Sequence, residues 1–311
     1  MKQLLIAILF AFTPVCLTGN DGMWENMGSK AKAYANAFFV QADDKGADSF
    51  RDELDFILYL VSRDDYAESL YLLERLAPAG HWVDSVNYLK GWVLYRQMEL
   101  AASAVSLLKV SAGSPVFHKA HFFGAYNLAH TGNLTQSVSV LEGLPVERGS
   151  MHAAMKQFQL GGISLLRRDF AGFEEHAGYF SGTFHVMALQ EGRMLNHYDV
   201  LKSTNPKSPF LAGMMSAAIP GLGRVYAGKP AEGIVSFLYM AAFGLTSYDF
   251  YRGGGLRSPL FIISATVSTV FYAGNIMGSV TAARRVNNEF RHEMDQRILF
   301  DLHIPLRNAF N

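Results

Sequence analysis

Four short turns in this chain resemble one another: Arg63-Asp64-Asp65-Tyr66-Ala67, Met98-Glu99-Leu100-Ala101, Gly132-Asn133-Leu134 and Arg168-Asp169-Phe170-Ala171. Their apolar residues, Tyr66, Leu100, Leu134 and Phe170, are spaced 34, 34 and 36 residues apart. From Phe50 to about Ser181 the segments between turns carry helical periodicity and almost no strand signal. A fixed period of this length marks a two-helix unit that cannot bury its apolar face alone and stacks on its neighbours. The expectation is an all-α chain.

Other positions share the period. A small residue falls in the first helix at Gly91, Ala125 and Gly161, where it lets two helices cross closely. The second helix has a small residue at Ser69, Ser103 and Ser137 and a bulky one at Leu73, Leu107 and Leu141. Pro115 closes one unit in register, while Pro78 and Pro145 come a few residues early. This pattern resembles the tetratricopeptide repeat. Ile57 is too large for its position and Phe173 departs outright, as expected of end units with a capping role. The resemblance implies a solenoid whose concave surface binds a protein or peptide segment. Candidate lining residues are Tyr59, Tyr88, Trp92, Tyr95, His121 and Tyr126, each also a candidate for the core. An ordinary helical bundle is the alternative.

At Asn205-Pro206-Lys207-Ser208-Pro209 two prolines mark a boundary. Three apolar blocks follow: Phe210 to Ile219, Gly233 to Tyr248, and Pro259 to Val280, which has no charge over 22 residues. The last is long enough to span a bilayer, which needs about 20 apolar residues. The middle block spans if extended, and the first is short enough to be interfacial or re-entrant. The expectation is a transmembrane helical hairpin over 205–286, with a buried soluble hairpin as the competing reading. Gly274, Asn275 and Gly278 form a G-x-x-x-G pattern that packs a helix closely in lipid, here against Ala241-Ala242-Phe243-Gly244. The hairpin also offers a route to a homo-oligomer. Beyond Val280, Val286, Phe290, Met294 and Ile298 make one stripe of an amphipathic helix over Thr281–Leu302.

Between the first two blocks lies IPGLGRVYAGKPAEG, in which Gly223 to Lys229 reads G-x-x-x-x-G-K. A phosphate-binding loop needs Ser or Thr after its Lys, and a preceding strand. Pro230 stands there instead, with neither hydroxyl nor N–H, and helical sequence precedes it. A tight turn is the better account, with Tyr226 and Arg224 suited to a membrane interface. The segment is similar to small two-helix membrane domains with the signature P-G-x-G-x-x-Y-x-G and a later Gly. The matching residues are Pro220, Gly221, Gly223, Tyr226, Gly228 and Gly233. Where that family has Gln or a similar polar residue after the second Gly, this chain has Arg224. The resemblance implies location and fold, not activity.

The N-terminus, MKQLLIAILFAFTPVCLTG, reads as a secretory signal peptide over 1–19. An uncleaved anchor and a lipoprotein modified at Cys16 are the alternatives. The remaining segments are a helical lead-in over 20–49, the repeat domain over 50–204, and a C-terminal helix and tail over 287–311. Net charge is zero, so no global field attracts nucleic acid. The single cysteine excludes a disulfide framework and a cysteine-based zinc site. His118 and His121 lack a nearby third ligand, and no catalytic motif is present, so no metal, cofactor or enzymatic activity is expected.

These readings converge on a bacterial inner-membrane adaptor whose repeats, outside the cytoplasm, bind a protein or peptide. Its partners would be that unknown chain and the lipid bilayer. A transport or protein-insertion component, with the hairpin as the active part, is the alternative function. Arginine and lysine placement opposes the topology. Lys202, Lys207, Arg224 and Lys229 precede the hairpin and Arg284, Arg285, Arg291 and Arg297 follow it, against Arg252 and Arg257 in its loop. Cytoplasmic repeats behind an uncleaved anchor would remove the conflict.

Overall fold

The computed structural model describes residues 45–78, 80 and 82–310. The expected signal segment, Cys16 and the part of the expected helical lead-in over 20–44 lie outside the described residues. Those residues form α-helices and no strand. In chain order the helices are α1 (Lys45–Ser62), α2 (Tyr66–Arg75), α3 (Trp82–Arg96), α4 (Leu100–Leu107), α5 (Phe117–His130), α6 (Leu134–Glu142), α7 (Met151–Arg167), α8 (Phe170–Ala177), α9 (His185–Ser203), α10 (Pro209–Ala218), α11 (Leu222–Tyr226), α12 (Pro230–Gly254) and α13 (Pro259–Phe310). They form two compact units, one up to Lys156 together with Phe310, the other Gln157–Ala309. The division falls inside α7, well before the composition change at 205–209.

The four similar turns share one backbone geometry. A single residue in each takes positive φ: Asp64 (62°), Met98 (65°), Gly132 (85°) and Arg168 (59°). The N–H one residue later bonds five residues back, Asp65 to Leu60 O, Glu99 to Leu94 O, Asn133 to Leu128 O and Asp169 to Ser164 O, at 2.8–3.0 Å. The positive-φ residue itself bonds three residues back, Asp64 to Val61 O, Met98 to Tyr95 O, Gly132 to Ala129 O and Arg168 to Leu165 O. That pair of bonds is a Schellman ending, which satisfies carbonyls the helix leaves open. Only Gly132 takes the conformation without steric cost. Asp64 and Arg168 gain from their side chains, Asp64 by a 3.2 Å ion pair to Arg96 and Arg168 by one of 2.8 Å to Asp295.

Within the first unit successive helices pack on each other, and α3 also packs on α5. Small residues set the approach. A Cβ on Gly91 would fall 2.6 Å from Leu107 Cγ. Ser103 Oγ donates to Gly91 O and Ser137 Oγ to Ala125 O, each at 2.6 Å. Leu73, Leu107 and Leu141 are buried beneath these crossings.

In the second unit the expected separate C-terminal helix is the continuation of the apolar one. α13 runs unbroken for 52 residues. Residues 281–302 contain no Gly or Pro and are rich in helix formers, so nothing terminates it. Met294, Ile298 and Leu302 of its later half are buried, and Leu302 lies against Gly162, where a Cβ would be 2.5 Å from it. Asp301, 3% exposed, accepts from Arg193 at 3.1 Å and lies 2.8 Å from His197 Nε2. By length and composition α13 can cross a membrane, and its most apolar stretch is 6% buried. It is the one described helix that meets both measures.

Met98 is 67% exposed, so its strained conformation has little side-chain compensation. Met98→Gly is expected to stabilise the full chain by up to about 1 kcal/mol, the scale of the left-handed penalty less glycine's entropy cost. Chemical denaturation in detergent, comparing midpoints, checks this.

Candidate functional site

Two places concentrate the residues singled out in the sequence. In the first unit, α3 presents Tyr88, Trp92 and Tyr95, and α5 presents Lys119, Phe123 and Tyr126, all at helical i, i+4, i+7 spacing. Trp92 lies 6.4 Å from Tyr88 and 5.3 Å from Tyr95, ring centre to ring centre. Phe123 makes edge contacts with Trp92 at 5.5 Å and with Tyr95 at 5.3 Å. Lys119 Nζ stands 5.0 Å from the Trp92 ring centre and 5.6 Å from that of Tyr88. Burial lowers the Lys119 ammonium to about 8. Burial, with Tyr95 nearby, raises the Tyr126 phenol, so it stays protonated and neutral.

Of the six predicted lining residues, four share this cluster. Tyr59 is 52% exposed and pairs instead with Arg63 and Phe56. The His121 ring lies tilted against Phe117 with ring centres 4.1 Å apart, and its Nδ1 lies 3.0 Å from Phe117 O. Burial lowers its basicity, so the ring is neutral near pH 7. Lys119 and Phe123 were not singled out in the sequence, although they share the i, i+4, i+7 register of Tyr126. No group of three His, Cys, Asp or Glu able to hold a metal occurs among the described residues.

In the second unit the P-G-x-G-x-x-Y-x-G residues join α10, α11 and α12 into a hub. Pro220 and Gly221 occupy the middle of a turn closed by Leu222 N donating to Ile219 O at 3.1 Å. Gly221 has φ 85° and ψ −16°, the third-residue geometry of a type II turn. A Cβ there would fall 2.1 Å from Gly233 O, and one on Gly233 2.7 Å from Gly221 O. At Gly223 it would fall 1.9 Å from Ala212 O. Gly228 meets nothing but has φ 86°. Tyr226 Oη accepts from Ser208 N at 3.0 Å, and its ring faces Lys207 at 5.2 Å. Asn287 of α13 holds the Lys207 backbone from both sides, accepting from N and donating to O, each at 2.8 Å.

This hub cannot cradle a phosphate along its backbone. The N–H groups of Gly223, Arg224, Val225, Ala227, Gly228 and Lys229 all have intrachain acceptors. The buried hydroxyls instead tie α10 to α13: Ser216 Oγ accepts from Gly223 N at 2.9 Å and lies 2.6 Å from Ser279 Oγ.

The expected Gly274–Gly278 seam is corrected. Gly274 is exposed, and a Cβ there, or on Gly244, would meet nothing within 4 Å. At Gly278 the neighbour is the Arg224 guanidinium, 2.5 Å from where a Cβ would stand. Asn275 is 6% exposed, one turn along the same face. α12 and α13 meet elsewhere, through Ser247 and Ser268 Oγ at 2.9 Å and stacked Phe243 and Phe271 rings at 4.6 Å. Ser268 Oγ also donates to Phe243 O at 3.3 Å there, whereas Gly274 has no neighbour for a Cβ to meet.

Comparison of the chain with known protein families, with curated proteins and with solved structures finds no match.

Two outcomes follow from the geometry. Gly223→Ala, facing a backbone oxygen that cannot move aside, is expected to destabilise by about 3 kcal/mol or more, beyond the usual cost of overpacking. Gly274→Ala is expected to be neutral or stabilising by up to about 1 kcal/mol. Unfolding midpoints in detergent separate them. At Lys119 the folded pKa lies below the unfolded one, so the unfolded chain binds more protons between about pH 8 and 10.5. Stability of wild type relative to Lys119→Met is therefore expected to rise across that window, read from paired denaturation curves.

Proposed function

We propose that this chain is a non-catalytic, membrane-anchored adaptor, in which tetratricopeptide-like repeats over 50–204 present a protein- or peptide-binding surface and a helical hairpin over 205–286 inserts in a bilayer. The observation that carries the reading is the placement of exposed apolar side chains. They concentrate on α10, α12 and α13, including Phe210, Met214, Ile234, Leu238, Leu245, Ile263, Val270 and Met277. Contiguous surfaces of this kind are membrane or protein contacts. The hydroxyl groups there fit the same setting. Thr246, Thr266, Thr269 and Thr281 each donate to the carbonyl four residues back, at 2.8–2.9 Å. Such bonding removes a polar group's need for water.

The recurring Schellman turns and the paired Ser103–Gly91 and Ser137–Ala125 bonds support the repeat reading. The Tyr88–Trp92–Tyr95–Phe123 cluster beside Lys119 supports the binding role, since aromatic and cationic side chains dominate recognition surfaces. We place the protein in a bacterial inner membrane with this surface on the periplasmic side.

Membrane flotation of the full chain and co-purification with Trp92→Ala and Tyr95→Ala variants test the proposal. The variants are expected to float as wild type does and to lose a captured partner by about tenfold or more. Partner capture unchanged by both would remove the binding role, and failure of wild type to float would remove the anchor. Topology is read from a cysteine at Glu147, exposed in the loop before α7. Neighbouring Gly149, with φ 77°, would strain a cysteine. Labelling by a maleimide that cannot cross the inner membrane is expected in intact cells with a permeabilised outer membrane.

A further inference from the structure

The junction of α10, α11 and α13 holds polar groups that its own chain does not satisfy. Neither side-chain atom of buried Asn275 has a partner, and nor has the buried Nε of Arg224. Arg224 also has no ion pair among the described residues. The absence of a side chain at Gly278 makes the space in which the guanidinium lies. Asn275 precedes Gly278 by three residues on α13, so the two positions are neighbours, about 5–6 Å apart between Cβ sites. A cation without an ion pair and an unpartnered buried amide thus lie beside each other on one face of α13. The guanidinium N–H groups of Arg224 and Asn275 Nδ2 can donate, and among the described residues no carboxylate pairs with Arg224.

Position along α13 argues for the occupant. Asn275 and Gly278 lie about 24–28 Å along the helix from Pro259, at 1.5 Å per residue. The hydrocarbon layer is about 30 Å thick. Both positions therefore fall near the edge of that layer, about two to three turns before Arg284 and Arg285. Exposed Met214 on α10 and Met277 on α13 offer apolar surface for acyl chains.

We propose that Arg224 and Asn275 bind the phosphate of a membrane glycerophospholipid. Arg224 neutralises the phosphate oxygen and Asn275 Nδ2 donates to it. The inference rests on the reading of 205–286 as membrane-inserted. Free phosphate shares the recognised chemistry, so the two sources are tested apart.

The full chain in an uncharged detergent is titrated with monomeric dihexanoyl phosphatidylglycerol, with dihexanoyl glycerol and with inorganic phosphate, following the thermal midpoint. Saturable stabilisation by phosphatidylglycerol alone is expected. Arg224→Gln and Gly278→Ala are each expected to weaken it about tenfold or more, the scale of one charge-assisted hydrogen bond. Arg224→Lys is expected to recover part of the loss. Gly278→Ala keeps every charge and displaces only the guanidinium, so it decides the matter if Arg224→Gln does not fold. Equal affinity in wild type and Gly278→Ala overturns the site. An equal response to inorganic phosphate overturns the lipid source, and one to dihexanoyl glycerol overturns phosphate recognition. Vesicle flotation of wild type separately reports the membrane reading: binding without flotation removes that reading and leaves a phosphate site.

Discussion

Two helices approach only as closely as the smallest residue between them allows, and this chain uses that limit repeatedly. In the hub, the Gly221 and Gly233 backbones are nearly in contact and Gly223 lies on the Ala212 carbonyl. In the first unit Gly91 admits Leu107, and its own carbonyl accepts from Ser103. In the second, Gly162 admits Leu302. At each point packing is set by a missing side chain, and a neighbouring backbone, hydroxyl, valine or leucine fills the space. Interiors this dense do not absorb an added methyl without moving backbone.

The surface chemistry divides along the sequence. Ordinary helix pairs bury Val93, Leu107, Phe122 and Leu141, while α10, α12 and the first half of α13 turn apolar side chains outward. Backbone groups in the latter segment are satisfied within helices, the one economical arrangement where water is absent. The buried polar atoms there that lack a partner, on Asn275 and Arg224, are confined to the end of the apolar stretch. Helical surfaces with such opposite exposures suit two solvents.

The turns and crossing residues were legible because period and residue size are written directly in the sequence. Tyr66, Leu100, Leu134 and Phe170 each follow the turn residue by two positions, and Ser103 and Ser137 bond as their small size permits. The glycine signature was legible as a motif, but its cause was not. Gly221 needs its left-handed φ and also its nearness to Gly233, twelve residues away, which no local pattern reveals. The G-x-x-x-G reading failed because small residues permit close approach without requiring it: Phe243 and Phe271 hold the hairpin contact elsewhere. The separate helix expected over Thr281–Leu302 failed for a similar reason. A change from apolar to charged side chains alters a helix's surroundings, whereas only Gly, Pro or a cap ends the helix itself.

An unbroken α13 has a mechanical consequence. Its 52 residues make a rod about 78 Å long at 1.5 Å per residue. The charged half is fastened to α7, α8's preceding turn and α9 by Leu302 on Gly162, Asp295 on Arg168, and Asp301 between Arg193 and His197. A tilt of about 10° at the apolar end would sweep the other through about 14 Å, and the one proline within the helix, Pro305, lies beyond all three fastenings. Were the apolar half in a bilayer of changing thickness, where helices adjust by tilting, those three fastenings would carry its lean as torque on the helices beside it.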